Sequence, residues 1–321
     1  MMEHNLRIIY MGTPDFAVSP LRRLLDAGHK VVAVVTNPDK PAGRGQRLQE
    51  SAVKRFAMER GLRVLQPERF RDEQFLEELR ELRADLQLVV AFKMLPEVVW
   101  SMPRLGTVNL HASLLPDYRG AAPINWAVMN GERESGVTTF LLKHEIDTGN
   151  IIFQQPVALT DTMTAGELHD ALMDAGAELL VKTVDAMEAG NYPLVEQTGL
   201  LKGRTPKSAP KIFKEDMKID WTQGSTAIYN HVRGLSPFPS AWTELRQRET
   251  GNVVTMKIFA VEKLDRKVDG SGPELCTDGK TYFGVKVRDG VILVKDLQLA
   301  GKKRMTAEEF LRGFRLKEYT L

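Results

Sequence analysis

The chain opens with a strand, a helix and a second strand, and this order constrains the fold more than any other feature of the sequence. An apolar run from Leu6 to Met11 precedes Leu21, Leu24 and Leu25, which recur at helical spacing, and a second apolar run follows at residues 31–35. Such a βαβ unit places its two strands parallel in one sheet. We therefore predict an α/β fold with a Rossmann-like, mostly parallel sheet.

A single glycine, Gly12, follows the first apolar run. Dinucleotide-binding folds carry the pattern G-x-G-x-x-G at this turn, because the backbone there approaches a pyrophosphate. The chain lacks that pattern, so the predicted topology does not indicate a dinucleotide.

Length and cysteine content limit the class of protein. The 321 residues allow two domains, and 43% hydrophobic residues can build a core in each. Neither a signal-peptide pattern nor an apolar run approaching the roughly eighteen residues of a membrane span is visible. The single Cys276 cannot form an internal disulfide and has no metal-ligand spacing around it. We expect a cytoplasmic protein without a structural metal.

The pattern of elements changes after about residue 190. A capping box at Thr164 and Glu167 begins a long helix that would close the first domain. Residues 191–207 hold two prolines, two glycines and no periodicity, which predicts an extended linker. Short β segments punctuated by glycines follow, and they are typical of a small β-barrel.

Charge is distributed unevenly along the chain. Residues 200–321 hold 23 Lys and Arg against 15 Asp and Glu, whereas the rest holds 21 against 27. A basic C-terminal part suggests binding to a polyanion, although a solvated surface rich in lysine explains the charge equally well.

A second basic feature is the segment 36–47, which contains two prolines, two glycines and the cations Lys40, Arg44 and Arg47. This composition predicts no regular element. It fits either a disordered excursion or a loop that orders on an anionic partner, and we favour the binding loop.

A polar stretch that holds several different hydrogen-bonding side chains runs from Asn109 to Gly120 and follows a strand-like segment. Alternation along a strand would leave Asn109 and His111 on the same side of its carboxyl end, where open parallel sheets bind ligands. For an isolated Asn-x-His pair, a histidine capped by a backbone carbonyl is the commoner explanation. The turn Asp147-Thr-Gly offers a carboxylate that could lie beside His111, although Asp and Gly are also ordinary turn residues.

An Asn, a His and an Asp that converge at strand ends suit acyl transfer to an amine. An amide N–H and a protonated imidazole can stabilise the anionic oxygen of a tetrahedral adduct, and a carboxylate can orient the imidazole. Ser113 lacks the G-x-S-x-G setting of a nucleophile. Direct transfer without an acyl-enzyme is therefore favoured.

These residues resemble a known signature. The run His111-Ala-Ser113-Leu-Leu-Pro116 with Arg119-Gly120, preceded by Asn109 and followed by Asp147-Thr-Gly, resembles that of the 10-formyltetrahydrofolate-dependent formyltransferases. The opening Gly12-Thr-Pro-Asp-Phe-Ala17 and the segment from Pro38 to Gly45 are similar to the members that act on initiator methionyl-tRNA. The similarity covers essentially the whole chain.

The resemblance implies a catalytic domain at residues 1–190, a linker at 191–207 and an OB-like, tRNA-binding barrel at 208–321. It implies transfer of the formyl group of 10-formyltetrahydrofolate, a co-substrate, to the α-amino group of initiator methionyl-tRNA. A cytoplasmic monomer without a metal is expected. The implied catalytic residues are Asn109, His111 and Asp147.

Contacts to both substrates are implied as well. Folate contacts are expected from two loops and the catalytic carboxylate: Phe92, Met94, Leu95, Ser113, Leu114, Leu115, Pro116 and Asp147. Contacts to tRNA are expected from basic residues: Lys40, Arg44, Arg47, Lys207 and Lys211. One position departs from the family, because Lys93 stands where many relatives carry a glycine in the folate loop.

Two alternatives stay open. A sibling formyltransferase or hydrolase would use the same donor on a small amine or on water, but such a substrate needs neither the basic loop nor the basic C-terminal part. A catalytically inactive tRNA-binding protein would not need an Asn, a His and an Asp together.

Overall fold

The computed structural model describes residues 5–42, 47–264 and 272–321. Contacts divide this part of the chain into two compact units. The first contains the described residues up to Gly120 with Glu134–Ala158 and His169–Ser208, and the second contains Ala121–Arg133, Leu159–Leu168 and the described residues from Ala209 onward. None of the helices among the described residues combines the length and apolar character that a bilayer crossing requires.

The first unit is built on a mostly parallel sheet. Its strands are β1 (Arg7–Gly12), β2 (Lys30–Val35), β3 (Lys40–Ala42), β4 (Arg47–Gln49), β5 (Val64–Leu65), β6 (Leu86–Val90), β7 (Thr107–His111), β8 (Arg119–Gly120), β9 (Glu134–Leu141) and β10 (Ile151–Ala158). Within the described residues, seven of them form one sheet in the order β10-β9-β7-β6-β1-β2-β5. The five neighbouring strands β5, β2, β1, β6 and β7 pair in parallel, and β9 runs antiparallel to both β7 and β10. The predicted Rossmann-like sheet is confirmed.

Helices alternate with these strands along the chain, and some of them begin at residues that cap their first turn. In chain order, the helices up to residue 201 are α1 (Val18–Asp26), α2 (Ala52–Glu59), α3 (Glu73–Glu81), α4 (Glu97–Trp100), α5 (Pro123–Met129), α6 (Ala165–Glu188) and α7 (Gln197–Leu201). The side chains of Ser51 and Asp72 accept hydrogen bonds from backbone N–H groups in the first turns of α2 and α3. Helix α3 buries Leu76 and Leu79 in one cluster with Met11 of β1, which fixes that helix against the sheet.

The segment 36–47 corrects a prediction. We expected no regular element there, but Lys40–Ala42 pairs antiparallel with Arg47–Gln49. Both strands of a two-stranded ribbon are edges, so Pro41 is tolerated although it lacks an N–H group. Arg44 lies outside the described residues.

The second unit carries an antiparallel, barrel-like sheet. After β11 (Ser208–Ala209), its elements are α8 (Ser225–Leu235), β12 (Ala241–Gln247), β13 (Val253–Leu264), β14 (Glu274–Thr277), β15 (Phe283–Val287), β16 (Gly290–Leu299), β17 (Met305–Thr306), α9 (Ala307–Leu311) and β18 (Tyr319–Thr320). The sheet order is β14-β15-β16-β13-β12-β18, and β17 pairs with β16. The register between β13 and β16 shifts at Ala260, as it does at a β-bulge. The predicted small β-barrel is confirmed.

The sheet of the second unit packs around an apolar core. Ile258, Phe283, Val294 and Leu297 are buried in it with Phe310 of α9. That helix begins at a capping box, in which Thr306 and Glu309 exchange side-chain to backbone hydrogen bonds.

The sequence predicted an extended linker at residues 191–207, but this segment is not extended throughout. It contains the helix α7, and the side chain of Gln197 is only 2% exposed within the first unit. The contact units are also interleaved in sequence, because Ala121–Arg133 and Leu159–Leu168 group with the second unit. The functional domain limits 1–190, 191–207 and 208–321 stay a prediction.

Candidate active site

The candidate site begins at the carboxyl end of β7, which carries Asn109 and His111. In the sheet, β7 lies between β6 and β9, so that Asn109 pairs with Val89 on one side and Phe140 on the other. The structure therefore places both polar residues at the strand end where the sequence predicted them.

A backbone carbonyl holds the ring of His111. Its Nε2 lies 2.9 Å from the carbonyl oxygen of Tyr118. Because a carbonyl can only accept a hydrogen bond, Nε2 carries the hydrogen in the neutral ring, and Nδ1 is then the atom with a free lone pair. The imidazole is thus fixed in orientation, with Nδ1 available for proton transfer.

Asp147 faces that nitrogen. One of its carboxylate oxygens, Oδ2, is 3.9 Å from Nδ1 of His111, and both side chains are largely buried. The same oxygen accepts a hydrogen bond of 3.0 Å from the backbone N–H of Gly120. The distance from Oδ2 to Nδ1 exceeds that of a hydrogen bond, so the two groups face each other without a direct bond. The structure thus brings His111 and Asp147 face to face, and Asn109 lies two residues before His111 on the same strand.

The loop that carries Asp147 has a constrained backbone. Asp147 has φ of +55°, in the left-handed region. At Gly149 an added Cβ would lie 1.6 Å from the carbonyl oxygen of Leu141, so that close approach requires glycine. The segment Asp147-Thr-Gly therefore forms a turn, and the same turn places a carboxylate beside His111.

Gly149→Ala is expected to lower the free energy of unfolding by about 1–3 kcal/mol, because Leu141 must move to admit the methyl group. Urea denaturation followed by a probe in the first unit measures this change. Gly199→Ala is a matched control, since nothing lies within 4 Å of a Cβ built there in α7. Equal stability of both variants would contradict this account of Gly149.

Sequence reasoning missed one residue of this site, Gln197. Its Nε2 donates hydrogen bonds of 2.8 Å to the carbonyl oxygens of both Asp147 and Gly149. Its Oε1 accepts hydrogen bonds of 3.1 and 2.7 Å from Nε and Nη2 of Arg119. Gln197 lies in a segment without periodicity, so no local signal could have found it.

The residues expected to bind folate differ in exposure. Leu95, Ser113 and Leu115 are buried, and the Ser113 hydroxyl donates to the carbonyl oxygen of Asp117 at 2.6 Å. This bond agrees with the prediction that Ser113 is not a nucleophile. The others are Phe92 and Leu114, which are half-buried, Pro116, which is buried, and Met94, which is 73% exposed. Folate contacts by these residues stay a prediction.

Lys93, the departure from the family pattern, lies over an aromatic ring. Its Nζ is 4.5 Å from the centroid of Phe70. Partial burial and the charge of Lys40 lower the pKa of Lys93. The left-handed residue of this loop is Ala91, with φ of +46°, so the special backbone conformation does not fall on Lys93.

The residues expected to bind tRNA lie in separate segments. Lys40 and Arg47 belong to the β3–β4 ribbon, in which Arg47 pairs through its backbone with Ala42. Lys207 lies 5.9 Å from the ring centroid of Tyr118 in the first unit, and Lys211 lies 5.4 Å from that of Phe213 in the second. Tyr118 is the residue that holds His111, so Lys207 is close to the candidate site.

A mostly parallel sheet with an amide, an imidazole and a carboxylate gathered at a strand end defines an enzyme with a Rossmann-like catalytic fold. Comparison with known proteins specifies the family. The family model described as "Formyl transferase" matches residues 5–184, and that described as "Formyl transferase, C-terminal domain" matches residues 211–315. The chain belongs to the formyl transferase family.

Relatives extend over the whole chain. The methionyl-tRNA formyltransferase of Parabacteroides distasonis is 56% identical over 324 residues, covering 100% of both chains. That of Bacteroides fragilis is 53% identical over 318 residues, covering 99% of this chain and 98% of its own. A solved N-formyltransferase from Helicobacter canadensis, in complex with folinic acid and dTDP-3-aminofucose, shares the fold with a TM-score of 0.66 at 21% identity, covering 90% of this chain and 99% of its own.

Proposed function

We propose that this protein transfers the formyl group of 10-formyltetrahydrofolate to the α-amino group of initiator methionyl-tRNA, by direct acyl transfer and for translation initiation. The observation that carries the proposal is the convergence of Asn109, His111 and Asp147 in a chain that matches methionyl-tRNA formyltransferases over its full length. The proposal includes a monomer that acts in the cytoplasm.

Asn109 is assigned to the formyl oxygen. As the amine bonds to the formyl carbon, this oxygen becomes anionic, and an amide N–H aimed at it stabilises the charge. In the part of the chain that the structure describes, the Asn109 side chain has no hydrogen-bond partner. Its N–H groups are therefore available to the substrate.

His111 and Asp147 are assigned to the proton that the attacking amine releases, and His111 also to the charge that develops on the formyl oxygen. With Nε2 bound to the Tyr118 carbonyl, Nδ1 of His111 is the position that gains and loses a proton. The carboxylate of Asp147 faces this nitrogen and is assigned to help accept the proton that the amine releases. Collapse of the adduct breaks the bond from carbon to N10 of the folate, and N10 takes up one proton.

The direct test is incubation of the protein with 10-formyltetrahydrofolate and charged initiator tRNA. Formyl-methionyl-tRNA is the expected product. Parallel reactions offer a nucleotide-linked amino sugar or water alone, and formylated sugar or free formate as the main product would favour a sibling enzyme. Donor and tRNA binding without any transfer would favour the inactive tRNA-binding protein.

The second unit has a surface suited to an RNA partner. Lys211 lies beside the ring of Phe213, which is 57% exposed. The ammonium of Lys214 lies 5.6 Å from the centroid of the Trp242 ring. Lysines interleaved with aromatic rings provide both phosphate contacts and stacking platforms. This surface supports the proposed role of the C-terminal part in tRNA binding.

Lys211→Ala is expected to weaken tRNA binding and to reduce the slope of log affinity against log salt by about 1, because one phosphate contact is lost. Fluorescence anisotropy at several salt concentrations measures both quantities. Lys295→Ala is the matched control, since the Lys295 ammonium is paired with Glu262 at 3.0 Å. An unchanged salt slope in Lys211→Ala would contradict the assignment of this lysine to a phosphate.

A further inference from the structure

Three consecutive residues hold the imidazole and the carboxylate of the candidate site relative to each other. The carbonyl of Tyr118 accepts from His111, and the N–H of Gly120 donates to the Asp147 carboxylate. Arg119, between them, reaches the backbone of the Asp147 loop through Gln197. Gln197 therefore completes the connection from the His111 side of the site to the Asp147 side.

The hydrogen bonds fix the orientation of the Gln197 amide. A guanidinium has only donors and a backbone carbonyl only accepts, so Oε1 must face Arg119 and Nε2 must face the carbonyls of Asp147 and Gly149. The flipped amide would oppose donor to donor and acceptor to acceptor at every contact. All four hydrogen-bonding positions of the amide are thus used, at a side chain that is 2% exposed.

These bonds act on a backbone that is unfavourable without support. Asp147 adopts a left-handed conformation, which persists when surrounding contacts determine it. Gln197 binds the carbonyl of Asp147 itself and that of Gly149, two residues further on. It therefore holds the turn that aims the Asp147 carboxylate at His111.

The segment that carries Gln197 is itself anchored on both sides within the first unit. Val195 and Ile151 exchange two backbone hydrogen bonds of 2.9 Å. Further along, Arg204 makes hydrogen bonds of 2.6 and 2.7 Å to the two carboxylate oxygens of Asp117. A side chain on a segment fixed at both ends can hold a neighbouring loop rigidly.

We propose that Gln197 is a positioning residue for catalysis, which holds the Asp147 turn so that its carboxylate stays directed at Nδ1 of His111. Gln197 acts through Asp147 and does not touch the substrates. The kinetic test of this inference rests on the proposed formyl transfer. The hydrogen-exchange test needs only the folded protein.

The kinetic test compares Gln197→Leu and Gln197→Glu with the wild type. Gln197→Leu removes all four hydrogen bonds and is expected to lower kcat about 10- to 100-fold, with little change in KM for either substrate, because the carboxylate loses its alignment. Gln197→Glu keeps the partner of Arg119 but turns an oxygen toward two carbonyls, and it is expected to lower kcat as well. Rates are referred to the concentration of folded sites, measured by folate binding.

Two comparisons separate positioning from general damage. Gln87→Leu changes another buried glutamine, which binds Thr107 at the far end of β6 and β7, and it is expected to leave kcat unchanged. In an Asp147→Asn background, Gln197→Leu is expected to cost less than about threefold, since it acts through that carboxylate. The proposal would be overturned if Gln197→Leu had the kcat of the wild type or lost no more kcat than Gln87→Leu. It would also be overturned if Gln197→Leu caused its full loss of kcat in the Asp147→Asn background.

A readout that needs no reaction keeps the test independent of the proposed function. Hydrogen exchange of the Gly120 amide reports its bond to the Asp147 carboxylate. Gln197→Leu is expected to speed this exchange about tenfold or more, and Gln87→Leu is not. Unchanged exchange would refute the positioning role, whereas an inactive wild type with fast exchange in Gln197→Leu would refute only the assigned reaction.

Discussion

His111→Ala is expected to lower kcat for formyl transfer by about 100- to 10,000-fold, the range found for loss of a positioned acid or base. The ring is held by the Tyr118 carbonyl with its Nδ1 toward the Asp147 carboxylate, so His111→Ala removes the positioned group that is assigned to gain and lose the proton there. Single-turnover kinetics with saturating donor and charged tRNA measure the chemical step directly.

The control for this variant is His169→Ala, because the His169 side chain is bound to Asp170 on α6. Its kcat is expected to stay near that of the wild type. Donor affinity of His111→Ala should also stay within about threefold, since the ring is assigned to the transition state and not to ground-state binding. A fall in rate that is explained wholly by weaker donor binding would remove His111 from the chemistry.

Much of the fold could be predicted because its signals are local. The parallel strands at the start of the chain were predicted, and so was the long helix α6, which follows the capping box of Thr164 and Glu167. Apolar periodicity and caps depend only on nearby residues, so they are visible in the sequence.

What the sequence did not predict depends on partners elsewhere in the chain. The pairing of Lys40–Ala42 with Arg47–Gln49 was missed because Pro and Gly dominate the segment between residues 36 and 47. Helix α4 spans only Glu97–Trp100, which is too short to show a helical period. The strand Glu274–Thr277 alternates too little to be recognised before its partner Phe283–Val287 is known.

In the candidate site too, some residues could be predicted from the sequence and one could not. Asn109, His111 and Asp147 could be proposed because their chemical types and their places at strand ends are properties of the sequence. Gln197 could not, because it acts on two carbonyl groups about fifty residues earlier in the chain. A glutamine in a segment without periodicity gains its role only when the fold brings it to that loop.

Asn109→Ala is expected to lower kcat by about 100- to 1,000-fold, the loss that follows removal of one oxyanion donor. In the described part of the chain the Asn109 amide has no hydrogen-bond partner, so its N–H groups need not break a bond before they meet the developing charge. Because the anionic oxygen exists only after the amine has attacked, kcat and kcat/KM should fall by the same factor. Steady-state kinetics over both substrate concentrations measure the two parameters.

Asn109→Asp sharpens the same test, because it keeps the size of the side chain but replaces the N–H donor with an acceptor. A carboxylate at this position repels the developing oxyanion, so its kcat should be lower than that of Asn109→Ala. Asn125→Ala in α5, which removes an amide that donates to the Gly234 carbonyl, is expected to leave kcat unchanged. If Asn109→Asp were as active as the wild type, the formyl oxygen would have to be stabilised by another group, and Asn109 would lose its assigned role.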